Sequence, residues 1–203
     1  MSPVSDIAFS PAVKAMQARQ GSRMTYARMS EKGDWPSEIT QDLASFIGEQ
    51  TSFFLATASA DGQPYMQHRG GPPGFLHVLD AHTLAFADFA GNRQYITVGN
   101  LSENPKSQLF LIDYTHRQRV KLWGEARVSE DAQLLRELMP SGYRAQGERC
   151  ILFTVTAWNA NCPKHIPQRV EAADVETALR DSRQRIAELE AKLARLHQEK
   201  HED

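Results

Sequence analysis

Two arginines in this chain stand beside glycine, a pairing that suits an anion site. Arg69 opens the run Arg69-Gly70-Gly71-Pro72-Pro73-Gly74, and Arg93 closes the turn Ala90-Gly91-Asn92-Arg93. Arginine offers a fixed fork of donors that matches a phosphate. Glycine removes a side chain where backbone must approach a ligand, and equally where a barrel corner bends. Residues 94–103 show no strand alternation and read as a short helix stopped at Asn104-Pro105. Arg93 would then stand at a helix N-terminus, where free N–H groups and the helix dipole favour an anion. It is the first candidate for a phosphate ligand, with Gly91 and Asn92 assisting; the plain alternative is a solvated turn residue. Arg69 is the second candidate, with Gln67, His68 and Gly70 around it. Asp88, at a strand end just before the turn, is suited either to accept bonds from polyol hydroxyls or to close an Asx turn.

Other residues could carry chemistry, each beside a plainer reading. Lys121 and Trp123 are two apart in a strand-like segment and so share one face. They pair a cation with an aromatic plane, or are a surface lysine and a core tryptophan. Asn100 either faces a ligand or packs locally. Cys162-Pro163-Lys164-His165 holds a cysteine and a histidine three apart, which is half a zinc site with no second pair nearby. A Cys162 thiolate would be helped by Lys164 and His165, yet no acyl-binding pocket is evident, and a strand-exit turn explains the same letters. No metal is expected, and none of the seven histidines is placed well enough to be named a general base.

The composition bounds what these residues can serve. A length of 203 residues suits one domain plus an appendage with a real core. The formal net charge of −2 gives no global reason to expect nucleic-acid or membrane binding. The N-terminus lacks a basic region followed by an apolar run, and no window reaches 18 apolar residues, so a cytoplasmic protein is expected. Cys150, in a strand and expected to be buried, and Cys162 make no disulfide framework.

The elements that would position the candidates follow from punctuation and period. A helix over 10–20 is capped by Ser10, carries Pro11 at its first position and ends at Gly21. Residues 22–36 read as irregular. Pro36-Ser37-Glu38 opens a second helix through Gly48, with Ile39, Leu43, Phe46 and Ile47 on one face. Strands follow at 51–59 and 64–68 around the Asp61-Gly62 turn, then at 74–79 and 83–88. Further strands are expected at 107–114, at 119–128 with a bulge near Trp123-Gly124, and at 149–158. A helix over 130–139 begins at Ser129. At least six hairpin-connected strands with outer helices make the fold mainly β: an antiparallel barrel with flanking helices. The expected units are an N-terminal helical segment, 1–50, the barrel, 51–168, and a C-terminal helix, 169–203. In that helix Val175, Leu179, Ser182, Ile186, Leu189, Leu193 and Leu196 alternate at four and three residues. Such a seam suits either an amphipathic helix packed on its own chain or a two-stranded coiled coil in a homodimer.

Taken in order, these pieces resemble the pyridoxamine 5′-phosphate oxidase-like family of FMN-binding split-barrel flavoproteins. The likeness rests on the strand and hairpin order, the Phe86-Ala87-Asp88-Phe89-Ala90-Gly91-Asn92-Arg93 segment, Asn104-Pro105 and Arg119-Val120-Lys121-Leu122-Trp123-Gly124. Arg69 to Phe75 and Asn161 to Ile166 resemble a branch of FMN-binding members. The resemblance covers a little over half of the chain. It implies a homodimer with FMN at the subunit interface. It also implies that Arg93 and Arg69 meet the phosphate or ribityl chain, and that Lys121 and Trp123 reach the flavin across the dimer. The loop with Lys164 and His165 would cover the site. The expected function is an FMN-dependent oxidoreductase acting on a small molecule. The alternatives are a non-catalytic flavin-binding module with a coiled-coil partner helix, or a split barrel that binds deazaflavin or haem. The vitamin B6 substrate does not follow. The family's R-x-x-L-L-K strand is replaced here by Gln67-His68-Arg69-Gly70-Gly71, and its Ser-Arg-Lys run by Gly91-Asn92-Arg93. Arg195-Leu196-His197 lies in the heptad helix and is not the family's substrate motif.

Overall fold

A computed structural model describes residues 2–160 and 163–202. Asn161 and Cys162 of the motif above lie outside the described residues, as does the side chain of Leu196. Two compact units are present: residues Met1–Asp113 with Gln118–Lys164, and residues Tyr114–Arg117 with His165–Asp203.

In the first unit, seven antiparallel strands form one sheet. They are β1 (Ser52–Ala58), β2 (Pro64–Gly70), β3 (His77–Val78), β4 (Thr83–Phe89), β5 (Lys106–Asp113), β6 (Gln118–Ser129) and β7 (Gly147–Ala160), in the order β2-β1-β5-β6-β7-β4-β3. Alternation sets the faces. Phe53 and Leu55 of β1, Leu109 and Leu111 of β5, and Val120 and Leu122 of β6 point inward, with Phe54, Phe110 and Trp123 on the other side. Phe53 is the hub of this core, stacked on Phe75 and edge-on to Phe86. β4 is buried on both faces. Leu84 and Phe86 join the main core, while Ala85 and Ala87 meet Cys150, Leu152 and Leu138 in a second cluster. The small residues on that side let helix α5 (Ala132–Leu138) lie close to the sheet. Cys150 is fully buried, and that burial, followed by the nearby Asp131 charge, pushes its thiol pKa up.

Helix α1 (Pro11–Arg19) is capped by Ser10, whose hydroxyl accepts from the Val13 N–H at 3.3 Å. Residues 22–36 are not irregular as expected: α2 spans Arg23–Lys32. No residue of α2 is buried, so its sequence has no apolar stripe to announce it. The next helix, α3 (Gln41–Glu49), starts later than Pro36. Residues 36–39 have spent their backbone groups elsewhere: the Trp158 N–H donates to the Pro36 carbonyl and the Ile39 N–H to Ala81. Thr40 then caps α3, which buries Leu43 and Ile47. β3 is far shorter than 74–79, because the Phe75 N–H closes a turn onto Pro72 and Gly74 sits at φ 84°. α5 is capped by Asp131, not Ser129, which is still paired with Cys150 in the sheet. In the second unit, α6 runs Ala172–Glu202.

The N-terminal segment is tied down by Asp34, whose carboxylate accepts from the N–H groups of Val4, Ser5 and Trp35. Trp35 in turn stacks on Trp123 of β6, with ring centres 4.9 Å apart. Burial of Asp34 acts to raise its pKa, but the bonds from Ser5, Trp35 and Val4 outweigh it and hold the group below its ordinary value of 3.8. With the folded value depressed, this stabilisation is complete above the unfolded pKa and is lost as pH falls through the folded one. Trp35 fluorescence should therefore report release of the segment only below about pH 3.8, and Asp34→Ala should release it at neutral pH. At the β6 bulge, a Cβ on Gly124 would lie 1.9 Å from the Thr154 carbonyl oxygen. Backbone cannot yield there as a side chain can, so Gly124→Ala should cost roughly 3 kcal/mol in urea unfolding.

Candidate functional site

The strand order leaves β2 and β4 without backbone pairing to one another, yet side chains join them. Arg69 of β2 donates from Nη1 to the Asp88 carboxylate of β4. Its guanidinium also lies 5.9 Å from the centre of the Phe86 ring. The barrel is thus split between these strands, and the split is bridged by a charge pair. Both members are largely buried, with side-chain exposures of 13% and 9%. Arg149 of β7 flanks the same carboxylate, its Nε 3.8 Å from Oδ2. It also bonds Glu148 at 2.6 Å and lies over the Tyr95 ring at 5.2 Å.

Above this pair lies a solvent-open cleft of about 410 Å³. One wall comes from β2, where Tyr65, Gln67 and Arg69 fall on alternate residues and share a face. The other comes from the turn after β4 and the start of helix α4 (Ile96–Glu103). The Asn92 side-chain oxygen accepts from the Gln94 N–H at 3.1 Å and fixes that turn. Arg93 and Tyr95 adopt left-handed backbone, φ 59° and 54°, a conformation that costs non-glycine residues energy and concentrates at working sites. Thr97 and Val98, in the first turn of α4, where N–H groups have no intrahelical acceptor, line the cleft. Gln67 is held between two donors. Its Oε1 accepts from Tyr65 Oη at 3.1 Å and from Thr97 Oγ1 at 3.3 Å, leaving its amide N–H groups free to donate. A neighbouring recess of about 460 Å³ shares Gln67, Arg69 and Phe89 and adds His68 and Gly70.

The charges of the lining are paired: Arg69 and Arg93 stand with Asp88 and Glu148, and Arg149, behind the lining, approaches both carboxylates. Arg69 Nε is buried and has no partner, so the arginine that closes the seam still has a donor to offer. Arg93 is exposed at the rim.

Eight of the sequence candidates meet here: Gln67, Arg69, Asp88, Gly91, Asn92 and Arg93 line the cleft, and His68 and Gly70 the recess. Asp88 does not close an Asx turn with its neighbours; it is the counter-ion of Arg69. Gly71 serves packing, because a Cβ there would fall 2.5 Å from the Phe75 ring. Asn100 packs locally, donating to Thr57 Oγ1 at 3.0 Å. Lys121 and Trp123 share the outward face of β6, away from this cleft. Lys164 is exposed and does not line it. His165, in the second unit, is an exposed turn residue at φ 66°. Sequence reasoning missed Tyr65, Tyr95, Thr97, Glu148 and Arg149. The period-two signal that links Tyr65 to Gln67 and Arg69 was there to be read. Arg149 was not, since its place opposite Asp88 depends on the β4–β7 register. Among the described residues, no cluster of His, Cys, Asp and Glu is arranged to hold a metal, and no helix is long and apolar enough to cross a membrane.

A family model described as pyridoxamine 5′-phosphate oxidase matches residues 39–176, more than half of the chain and all seven strands. Among solved structures, HupZ of Group A Streptococcus superposes with a TM-score of 0.51 at 16% identity, over 65% of this chain and 99% of that one. An FMN-binding protein from Syntrophomonas wolfei subsp. wolfei matches with a TM-score of 0.48 at 12% identity, over 71% of this chain and 97% of that one. No curated protein gives a significant match.

The seam pair has a direct test. Removing the carboxylate leaves Arg69 and Arg149 largely buried without their shared counter-ion. Asp88→Ala should therefore cost about 3 kcal/mol in urea unfolding, and added inorganic phosphate should restore part of that loss.

Proposed function

The chain belongs to the pyridoxamine 5′-phosphate oxidase family, and on that premise we propose that it is an FMN-binding flavoprotein acting as an oxidoreductase on a small molecule. The observation that carries this reading is the free, buried Nε of Arg69, set in a cleft that also gathers Arg93 and the N-terminus of α4. Those three donors suit a phosphate dianion. The residues present fit the rest of the group as well. Asp88 and the Gln67 amide offer an acceptor and a donor for ribityl hydroxyls or a ring edge. Gly91 and Asn92 keep the turn beside the phosphate narrow. The recess lined by His68, Gly70, Phe75 and Phe86 sets two aromatic rings beside polar groups, where part of a flat ring with hydrogen-bonding edges would sit. When bound, the flavin would accept a hydride or electrons from the small molecule and pass them to oxygen or another acceptor. The protein's share is to hold the phosphate, orient the ring and limit water.

The same reading makes the working unit a homodimer with the flavin at the subunit interface. The outward side of the sheet supports it. His68, Phe54, Phe110 and Lys121 lie in register across four strands there, with Met66, Ala56, Gln108 and Trp123 in the next row. Met66 is 61% exposed within the single chain. Lys121 and Trp123 of one subunit would then meet the flavin held by the other. A lysine near the ring would stabilise negative charge on the reduced flavin. Trp35 covers one face of Trp123, so the indole's edge or its other face is what remains for a ligand.

Absorption of the purified protein, or titration with FMN, tests the cofactor. Flavin bands and release of FMN at near one per chain are expected. Arg93 is exposed and makes no core contact, so Arg93→Ala should keep the fold while weakening FMN by about 1.5–3 kcal/mol, the range for a charge-assisted bond. A protein that neither carries nor takes up FMN would sink the reading. Bound flavin that no reductant reduces would leave a binding module rather than an oxidoreductase.

A further inference from the structure

Helix α6 is 31 residues long, on the order of 46 Å, and its described side chains are exposed along the whole length. Val175, Leu179, Ile186, Leu189 and Leu193 are between 44 and 55% exposed. Five large apolar residues in one line on a bare helix require an occupant.

Their spacing identifies it. Leu179, Ile186 and Leu193 recur every seven residues, and Val175, Ser182, Leu189 and, in sequence, Leu196 recur every seven between them. The mean period is 3.5, that of a left-handed two-stranded seam, rather than the 3.6 of a straight helix. The stripe is also narrow. A helix packed on a globular core needs an apolar face that extends to at least one flank. Here the flanks are Glu176, Arg183 and Glu190 on one side and Arg185 and Lys192 on the other, with Ala178 the exception. The one polar residue in the seam carries its own partner, since Ser182 Oγ donates to the Ala178 carbonyl at 2.8 Å. It can be buried without leaving an orphaned donor.

We infer that α6 pairs with α6 of a second copy of this chain as a parallel, in-register two-stranded coiled coil. Charge selects the orientation. In the parallel pair, Arg185 faces the partner's Glu190, once on each side of the seam. The fully overlapped antiparallel pair would instead set Arg185 against the partner's Lys192. β-branched Ile186 at one seam position with Leu189 at the next favours two strands over three. This inference stands apart from the flavin reading, because nothing in it uses the barrel.

Site-specific disulfide formation in the full chain, with Cys162→Ser to remove background and Cys150 left buried, tests it. In a parallel, in-register pair each seam residue meets its own copy, so S182C and L189C should each crosslink to a species of twice the chain mass on mild oxidation. A191C, on the far side of the helix, should not. S182C removes no apolar group, so it answers even if L189C weakens the helix. Adding R185E to S182C should lower the yield several-fold, and R185E with E190R should restore it. Equal crosslinking at all three positions, crosslinking of L189C only with a chain carrying I186C, or none at all overturns the proposal. Each result is read without flavin, so it cannot be mistaken for a failure of cofactor binding.

Discussion

The bond between Arg69 and Asp88 is the constraint around which the barrel is arranged. A sheet ordered β2-β1-β5-β6-β7-β4-β3 has no ladder to close it between β2 and β4. Apolar side chains would close such a seam at less cost, because a buried ion pair recovers little more than its own desolvation. The charge pair does something that leucines cannot. It keeps two strands together while holding a buried donor, Arg69 Nε, that has no partner within the chain. Arg149 approaches the same carboxylate from a third strand, so Asp88 is matched by two arginines.

The neighbouring geometry follows from that arrangement. β4 must be buried on both faces to carry Asp88 into the interior, and its alternation of Phe86 with Ala85 and Ala87 lets a core and a helix meet it from opposite sides. Immediately beyond it, the chain has to reverse into α4 within a few residues. It does so through two left-handed positions, at Arg93 and Tyr95, neither of them glycine. Gly91 stands in the same turn but is not where the strain falls. The strained positions hold an arginine at the rim and the ring beneath Arg149.

Local chemistry made much of this legible. Alternation located β1, β5, β6 and β7 to within two or three residues, and the bulge at Trp123/Gly124 stands where a glycine interrupted a strand. Ser10 caps α1 as serine before proline should. What could not be read was set by long-range pairing. α2 buries nothing, so it has no period. Residues 36–39 looked like a helix start until β7 and the β3–β4 turn claimed their backbone. The site divides in the same way. Gln67, Arg69, Asp88 and Arg93 were visible because glycine, turn and strand-end signals surround them. That Asp88 would pair with Arg69 was not visible, since the two stand nineteen positions apart across a split barrel.

Two symmetric contacts on one chain would act on each other. The proposed barrel dimer and the proposed α6 pair would each bury an isologous surface. Once either forms, the other becomes intramolecular, with an effective concentration set by the connecting residues and not by the bulk. The barrel contact alone could then be modest. Its outward face mixes Phe54, Phe110 and Met66 with Gln108, Lys121 and His68, a composition closer to an exchangeable interface than to a divided core. A helix that kept the copies together would let such a face stay polar enough to admit a charged cofactor without the subunits drifting apart.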